Sequence, residues 1–360
     1  MVAGTMAIVL STIAVPRAAG AVDAGFRLAV GSGGGGFSGD GGPASEARLK
    51  APEAAAVAAD GTLYIADTGN HRVRAIGPDG RIRTVAGDGE AKNETGPLPE
   101  GAKGTEISLG YPGDLTVGAD GTVYIADVTA VRVYALASDG TISVRAEPVM
   151  AAGTIEPPME APSGVAVMPD GTLFVADQKN NRVLVFAPGG AVGEIAAAGF
   201  AAPSGLAVDT AGDLWICGAN KLHRWRDGEL SEVAAAGTVS AVSAGAGGVF
   251  TVDAVDRAVH VRDPGGEARA VIGLDPAIFR QDVVLLGAGT TPDGSIHLVD
   301  VIGNRVYSHP VPAAGGAGDA AASGTWPAAL GGGAVMTIIG VALLLGWRRR
   351  RTADRGGGTA

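Results

Sequence analysis

The chain has 360 residues, with 37 acidic side chains against 27 basic ones and a formal net charge of −10. That balance, with no basic stripe, excludes a nucleic-acid binder that works by neutralising phosphates. Glycine is far above ordinary usage at 59 residues and aromatics are scarce, and the length allows one large domain with appendages.

Residues 1–21 read as a secretory signal. Ala7–Val15 is an apolar core too short to span a bilayer, and Ala19-Gly20-Ala21 is an A-x-A cleavage site, although no basic n-region precedes it. Residues 26–31 (FRLAVG) repeat the form of 82–87 (IRTVAG), which is the outer strand of the first repeat. Residues 31–50 and 87–110 are long insertions in one structural slot, between an outer strand and the next inner one. Loops of that length in a compact domain are functional or variable.

The stretch 51–76 (APEAAAVAADGTLYIADTGNHRVRAI) is the organising unit. It holds an apolar run, an Asp-Gly turn, an alternating strand ending in Asp67, a polar turn and a strand entered by Arg72. The block recurs at Asp120–Leu136 and Asp170–Phe186, with weaker copies at Gly212–Trp225, Gly247–Val261 and Asp293–Tyr307. The strand-ending aspartates are Asp67, Asp127, Asp177, Asp253 and Asp300, replaced by Gly218 in copy four. The strand-opening arginines are Arg72, Arg132, Arg182, Arg257 and Arg305, replaced by His223 in copy four. A ring sits one residue into the strand at Tyr64, Tyr124, Phe174, Trp215 and Phe250, with His297 in copy six.

Six copies of short strands joined by tight glycine turns predict an all-β, six-bladed β-propeller over residues 22–308. Copy six lacks an outer strand of its own, so Phe26–Val30 is expected to complete it and close the ring without an open sheet edge. The runs ADTGNHRVRAI and GFSGDGGPASEARLKAPE resemble NHL-repeat propellers, in particular the bacterial and teneurin-type NHL domain, across residues 26–309. The resemblance implies a propeller used mostly as a recognition platform, with some enzymatic relatives.

After the repeats, 309–326 reads as a flexible Pro/Ala/Gly/Ser linker. Residues 327–347 are uncharged and long enough for a transmembrane helix, with Trp326 and Trp347 at its ends. Arg348–Arg351 open a basic tail, 348–360, which places that tail in the cytoplasm and the propeller outside. Without the signal and tail, 21 basic residues face 36 acidic ones.

Three constellations bear on chemistry. The repeated Asp and Arg read as scaffold, with Asp accepting turn amides and pairing with Arg. The predicted inner strands are mostly small and neutral. Glu53 and Asp114 are the carboxylates at the channel rim, and two carboxylates make a weak metal site. The rim that holds both insertions also holds the turns between second and third strands. Its apolar Val128, Val131, Val255, Val301 and Ile302, with Lys179 and Asn180, are the expected binding surface for a protein, peptide or glycan. The bland alternative is that these apolar side chains tuck under the insertions. No catalytic residue, cofactor or metal is expected: Gly31–Gly36 lacks the lysine and following helix of a phosphate loop, and no nucleophile elbow is visible. The alternative function is a propeller lyase or lactonase with a divalent ion in the channel, for which metal at Glu53 and Asp114 would be the discriminating sign. Cys217 lies in the strand LWICG and reads as a buried hydrophobe.

Overall fold

A computed structural model describes residues 26–311, apart from 94–95, 149–156, 189, 191, 196–200, 234–238, 246–247, 254–255, 264, 275–277, 280–284 and 291–294. The expected signal, linker, transmembrane helix and tail fall outside the described residues, except for 309–311 at the start of the linker. Among the described residues no helix is long and apolar enough to cross a membrane.

Among the described residues, twenty-four strands form six antiparallel sheets of four. Blade one is β2 (Ala54–Val57), β3 (Leu63–Asp67), β4 (Arg72–Ile76) and β5 (Ile82–Ala86). Blade two is β6 (Pro112–Val117), β7 (Val123–Asp127), β8 (Arg132–Leu136) and β9 (Ile142–Ala146). Blades three, four and five follow in the same order from inner strands β10 (Pro162–Val167), β14 (Pro203–Val208) and β18 (Val239–Gly245). Blade six holds β22 (Leu285–Thr290), β23 (Ile296–Asp300) and β24 (Arg305–His309), and β1 (Arg27–Val30) pairs with β24 as its outer strand. Each inner strand packs on the next, and β22 packs back on β2, so the ring closes.

The sequence match FRLAVG/IRTVAG has a steric basis. Gly31 and Gly87 both adopt positive φ, +97° and +87°. A Cβ on Gly31 would lie 2.4 Å from the Asn304 carbonyl oxygen, and one on Gly87 2.1 Å from that of His71. Each glycine ends an outer strand where the backbone meets the turn of its own blade, so only glycine fits.

Second strands are buried on both faces. All five residues of β7, and all five of Leu173–Asp177 and of Leu214–Gly218, are buried. This is the packing expected of a blade held between two neighbours. Cys217 is buried as expected, and burial pushes its thiol up to about 12. The inner strands must be small because six of them converge: a Cβ on Gly164 would sit 2.9 Å from the Ser204 carbonyl oxygen of the next blade. Cross-blade hydrogen bonds tie this inner ring, from Thr68 Oγ1 to the Pro112 carbonyl at 2.7 Å and from Ser163 Oγ to the Pro203 carbonyl at 2.9 Å.

The insertions are folded parts of the blades. Each carries a 3-10 turn, 44–46 and 104–106, with amides bonded to Gly80 and Gly140 of the neighbouring blades' outer hairpins. Ala47, Leu49 and Leu109 within them are fully buried. Both stretches begin and end beside second-to-third-strand turns, while their 3-10 turns lie against third-to-fourth-strand hairpins, so the insertions do not sit wholly on the expected rim. The Ala51 amide donates to Asn304 Oδ1 at 2.7 Å, and Asn70 Nδ2 donates to the Gly36 carbonyl at 2.7 Å. β24 starts on this rim at Arg305 and runs to the opposite one, ending at His309, two residues past the expected Tyr307.

Candidate functional site

The repeated aspartates are buried scaffold. Asp127 accepts four backbone amides, from Gly110 at 2.7 Å, Tyr111 at 2.9 Å, Ala130 at 3.0 Å and Thr129 at 3.2 Å. Asp177 accepts the Glu160 amide at 3.1 Å and pairs with Arg182 at 2.9 Å. Asp300 accepts the Gly303 amide at 2.7 Å, and Arg305 reaches the Ser32 carbonyl at 3.3 Å. Arg132 binds Glu147 at 2.8 Å and the Gly96 carbonyl at 2.8 Å.

Blade one departs from the expected pairing of Asp67 with Arg72. The partner is Arg74, buried with its Nη1 3.2 Å from Asp67 Oδ2 and its Nη2 on Asp40. Arg72 instead lies over the Phe37 ring at 4.0 Å and donates to the Asp88 carbonyl at 2.7 Å. The physical reason lies in the GFSGDGG insertion. It brings Phe37 and Asp40 over β4, and the buried carboxylate takes the guanidinium that is buried beside it.

Two other register assignments change. In copy four Lys221 lies opposite Gly218, and His223 lies opposite Ile216, the place Arg74 holds in blade one. In copy five the turn keeps its length and the arginine falls one residue earlier. Arg257 takes the left-handed position (φ +53°) that His71 holds in blade one, and Ala258 opens the strand.

The expected apolar rim does not form one exposed patch. Val128 is buried under Gly113, and Val131 is half-buried against the core between blades two and three. Val301 is half-buried, Ile302 is 50% exposed, and Val255 lies outside the described residues. The inner strand of its own blade takes in Val128, and the core shared with blade three takes in Val131. Lys179 is exposed and pairs with Glu160; Asn180 donates to Asp177 and to the Pro158 carbonyl at 2.9 Å.

The channel carboxylates, by contrast, are drawn into one constellation. Glu53 precedes β2, and its backbone amide donates to the Ala66 carbonyl at 3.1 Å. Its Oε1 accepts the phenol hydroxyl of Tyr111 from the next blade. Asp114, on β6, accepts the Val165 amide of blade three at 2.9 Å. Three consecutive blades therefore meet here. Glu53 and Asp114 are both half-buried residues. Burial pushes Glu53 up to about 7, opposed by the Tyr111 hydrogen bond. Burial also pushes Asp114 up to about 7, opposed by the Val165 and Leu115 amides and helped by the charge of Glu53. Burial and the Glu53 carboxylate keep the Tyr111 phenol protonated.

Tyr111 escaped the sequence reading because it reads as the end of an insertion. Its position was a usable signal: it directly precedes Pro112, where blades one, three and four carry Ala51, Ala161 and Ala202. Asp127 grips its amide, so the scaffold aspartate of blade two aims the phenol at the channel.

A stability test follows. Two acids with raised folded pKa values stabilise the protein fully below pH 4 and lose that contribution as pH rises through about 7. Glu53→Gln with Asp114→Asn should remove this slope. The double variant should be more stable than the parent at pH 8 by on the order of 2 kcal/mol, after discounting for channel water. Denaturant midpoints at pH 5 and pH 8 read the effect; parallel pH profiles for parent and variant would contradict it.

Residues 32–77 match the family model of the teneurin NHL domain, and residues 161–186 match that of the NHL repeat. Human teneurin-1 is 62% identical over 40 residues, which is 11% of this chain and 2% of the teneurin; mouse teneurin-1 matches equally. The chain thus spans a small fraction of the length of these relatives. Among solved structures, a gluconolactonase from Xanthomonas campestris superposes with a TM-score of 0.55 at 15% identity, covering 73% of this chain and 87% of that one. A putative gluconolactonase gives 0.52 at 16% identity, covering 79% and 90%. The likeness to these structures is one of fold. The chain is a six-bladed β-propeller in which residues 32–77 match the teneurin NHL domain and residues 161–186 match the NHL repeat.

Proposed function

We propose that this propeller is a recognition module that takes a polar segment of a peptide or glycan at the mouth of its channel, on the rim bearing the insertions. The observation that carries the reading is the Glu53–Tyr111–Asp114 constellation, placed on an otherwise small and neutral inner face. Near neutral pH its carboxyls can donate as well as accept, which suits hydroxyl and amide ligands. Display outside the cell, with a signal at 1–21 and an anchor at 327–347, belongs to the same proposal. Protease added to intact cells should then release the propeller, and complete protection would reverse the orientation.

The lyase or lactonase reading draws on the same raised carboxyl pKa values, which suit general acid–base work. Among the described residues, however, the channel pair does not gather a third metal ligand. The deciding experiment probes the full chain against peptide and glycan arrays at pH 6 and pH 8. Capture should fall at least tenfold in Glu53→Gln/Asp114→Asn and be sensitive to pH. Undiminished capture by the folded double variant would move the site elsewhere on the rim.

A further inference from the structure

Blade five assembles a second polar cluster two strands outward from the channel-lining strand. Asp253 ends the second strand, Gly248–Asp253; Asp256 lies in the turn; His260 is on the third strand, Ala258–Arg262. One ligand atom from each lies within 4.8 Å of the others. Asp253 is buried and receives the Asp256 amide at 2.8 Å, His260 is half-buried, and Asp256 is exposed. His260 Nε2 is itself enclosed and has no hydrogen-bond partner. His260 stands opposite Thr251, the place at which blade one puts Arg74 against its scaffold aspartate. Where blades one and three set an arginine against the scaffold aspartate, blade five sets an imidazole beside its own aspartate and Asp256.

We propose that Asp253, Asp256 and His260 bind a first-row divalent cation, with zinc preferred, at the insertion-bearing rim of blade five. An imidazole with two carboxylates suits zinc, whereas calcium and magnesium favour all-oxygen shells. Ligand atoms about 2.1 Å from zinc stand roughly 3.0–3.5 Å apart. The cluster must therefore contract by about an ångström, which the exposed side chain of Asp256 can supply. Water completes the shell on the solvent side, and the ion ties the scaffold aspartate to the third strand as the arginine cations do in blades one and three.

The test uses the full chain, purified in detergent, stripped with chelator, dialysed and titrated with zinc sulfate by calorimetry. One zinc should bind per chain and raise the melting temperature. Asp256→Asn changes an exposed side chain and should fold normally; it and His260→Gln should each weaken binding at least tenfold while leaving the zinc-free melting temperature near that of the parent. Cobalt substitution should give d–d absorption bands that both variants lose. Absence of bound zinc, or unchanged affinity in Asp256→Asn, overturns the proposal. Loss of binding only in Glu53→Gln/Asp114→Asn would place the ion in the channel and equally overturn it.

Discussion

Deleting residues 26–30 is expected to leave the propeller aggregated, or to lower its melting temperature by about 15 °C or more. The segment is short but seals the ring. Its β1 strand pairs Arg27 with Ser308, Leu28 with Tyr307 and Val30 with Val306. Phe26 is 7% exposed and meets Phe279 edge-on at 5.0 Å and His309 at 4.5 Å; Val30 is 1% exposed. Burial of these two side chains contributes about 1.5–3 kcal/mol each, and each ladder hydrogen bond about 1 kcal/mol. The total is on the order of 6 kcal/mol, a large part of the 5–15 kcal/mol typical of a folded domain. Removal also bares β24 as an open edge, ready to pair with another chain. Thermal melts with size-exclusion chromatography decide the matter: a monodisperse truncated protein that melts like the parent would show that blade six does not need the strand. Phe26→Ala isolates the packing part and should cost about 3–5 kcal/mol.

Asp127→Ala should destabilise the fold by about 3–5 kcal/mol and disable the channel constellation with it. The carboxylate is fully buried and accepts four amides, two from the turn of blade two and two from the end of the insertion. Alanine leaves all four donors without that acceptor in an enclosed site. Because the Tyr111 amide is one of them, its phenol loses its aim at Glu53. The Glu53 carboxyl, without that hydrogen bond and still enclosed, should titrate higher than in the parent. Chemical denaturation gives the stability loss, and carboxyl-resolved NMR titration follows Glu53. Tyr111→Phe is the control: it should shift Glu53 in the same direction with little loss of stability. A stable Asp127→Ala protein with an unmoved Glu53 titration would separate scaffold from site.

The sequence by itself determined the blade count, the strand order within a blade and the closing role of Phe26–Val30. These are legible because each hairpin is local: alternation sets which residues face one another, and the Asp-Gly turns fix the register. Gly31 and Gly87 carry the same message, since one backbone contact imposes one residue on both ends of the ring. The tertiary structure alone decided the partners. Asp67 is held by Arg74 and not Arg72 because an insertion more than thirty residues away along the chain brings in Phe37 and Asp40. Tyr111 meets Glu53 across 58 residues of sequence, and Val128 is buried beside Gly113 of its own inner strand. The cluster of Asp253, Asp256 and His260 depends on the pairing of the second and third strands, which sets His260 opposite Thr251. Contacts between blades depend on distances that no local period encodes, so the site emerged only where three blades converge.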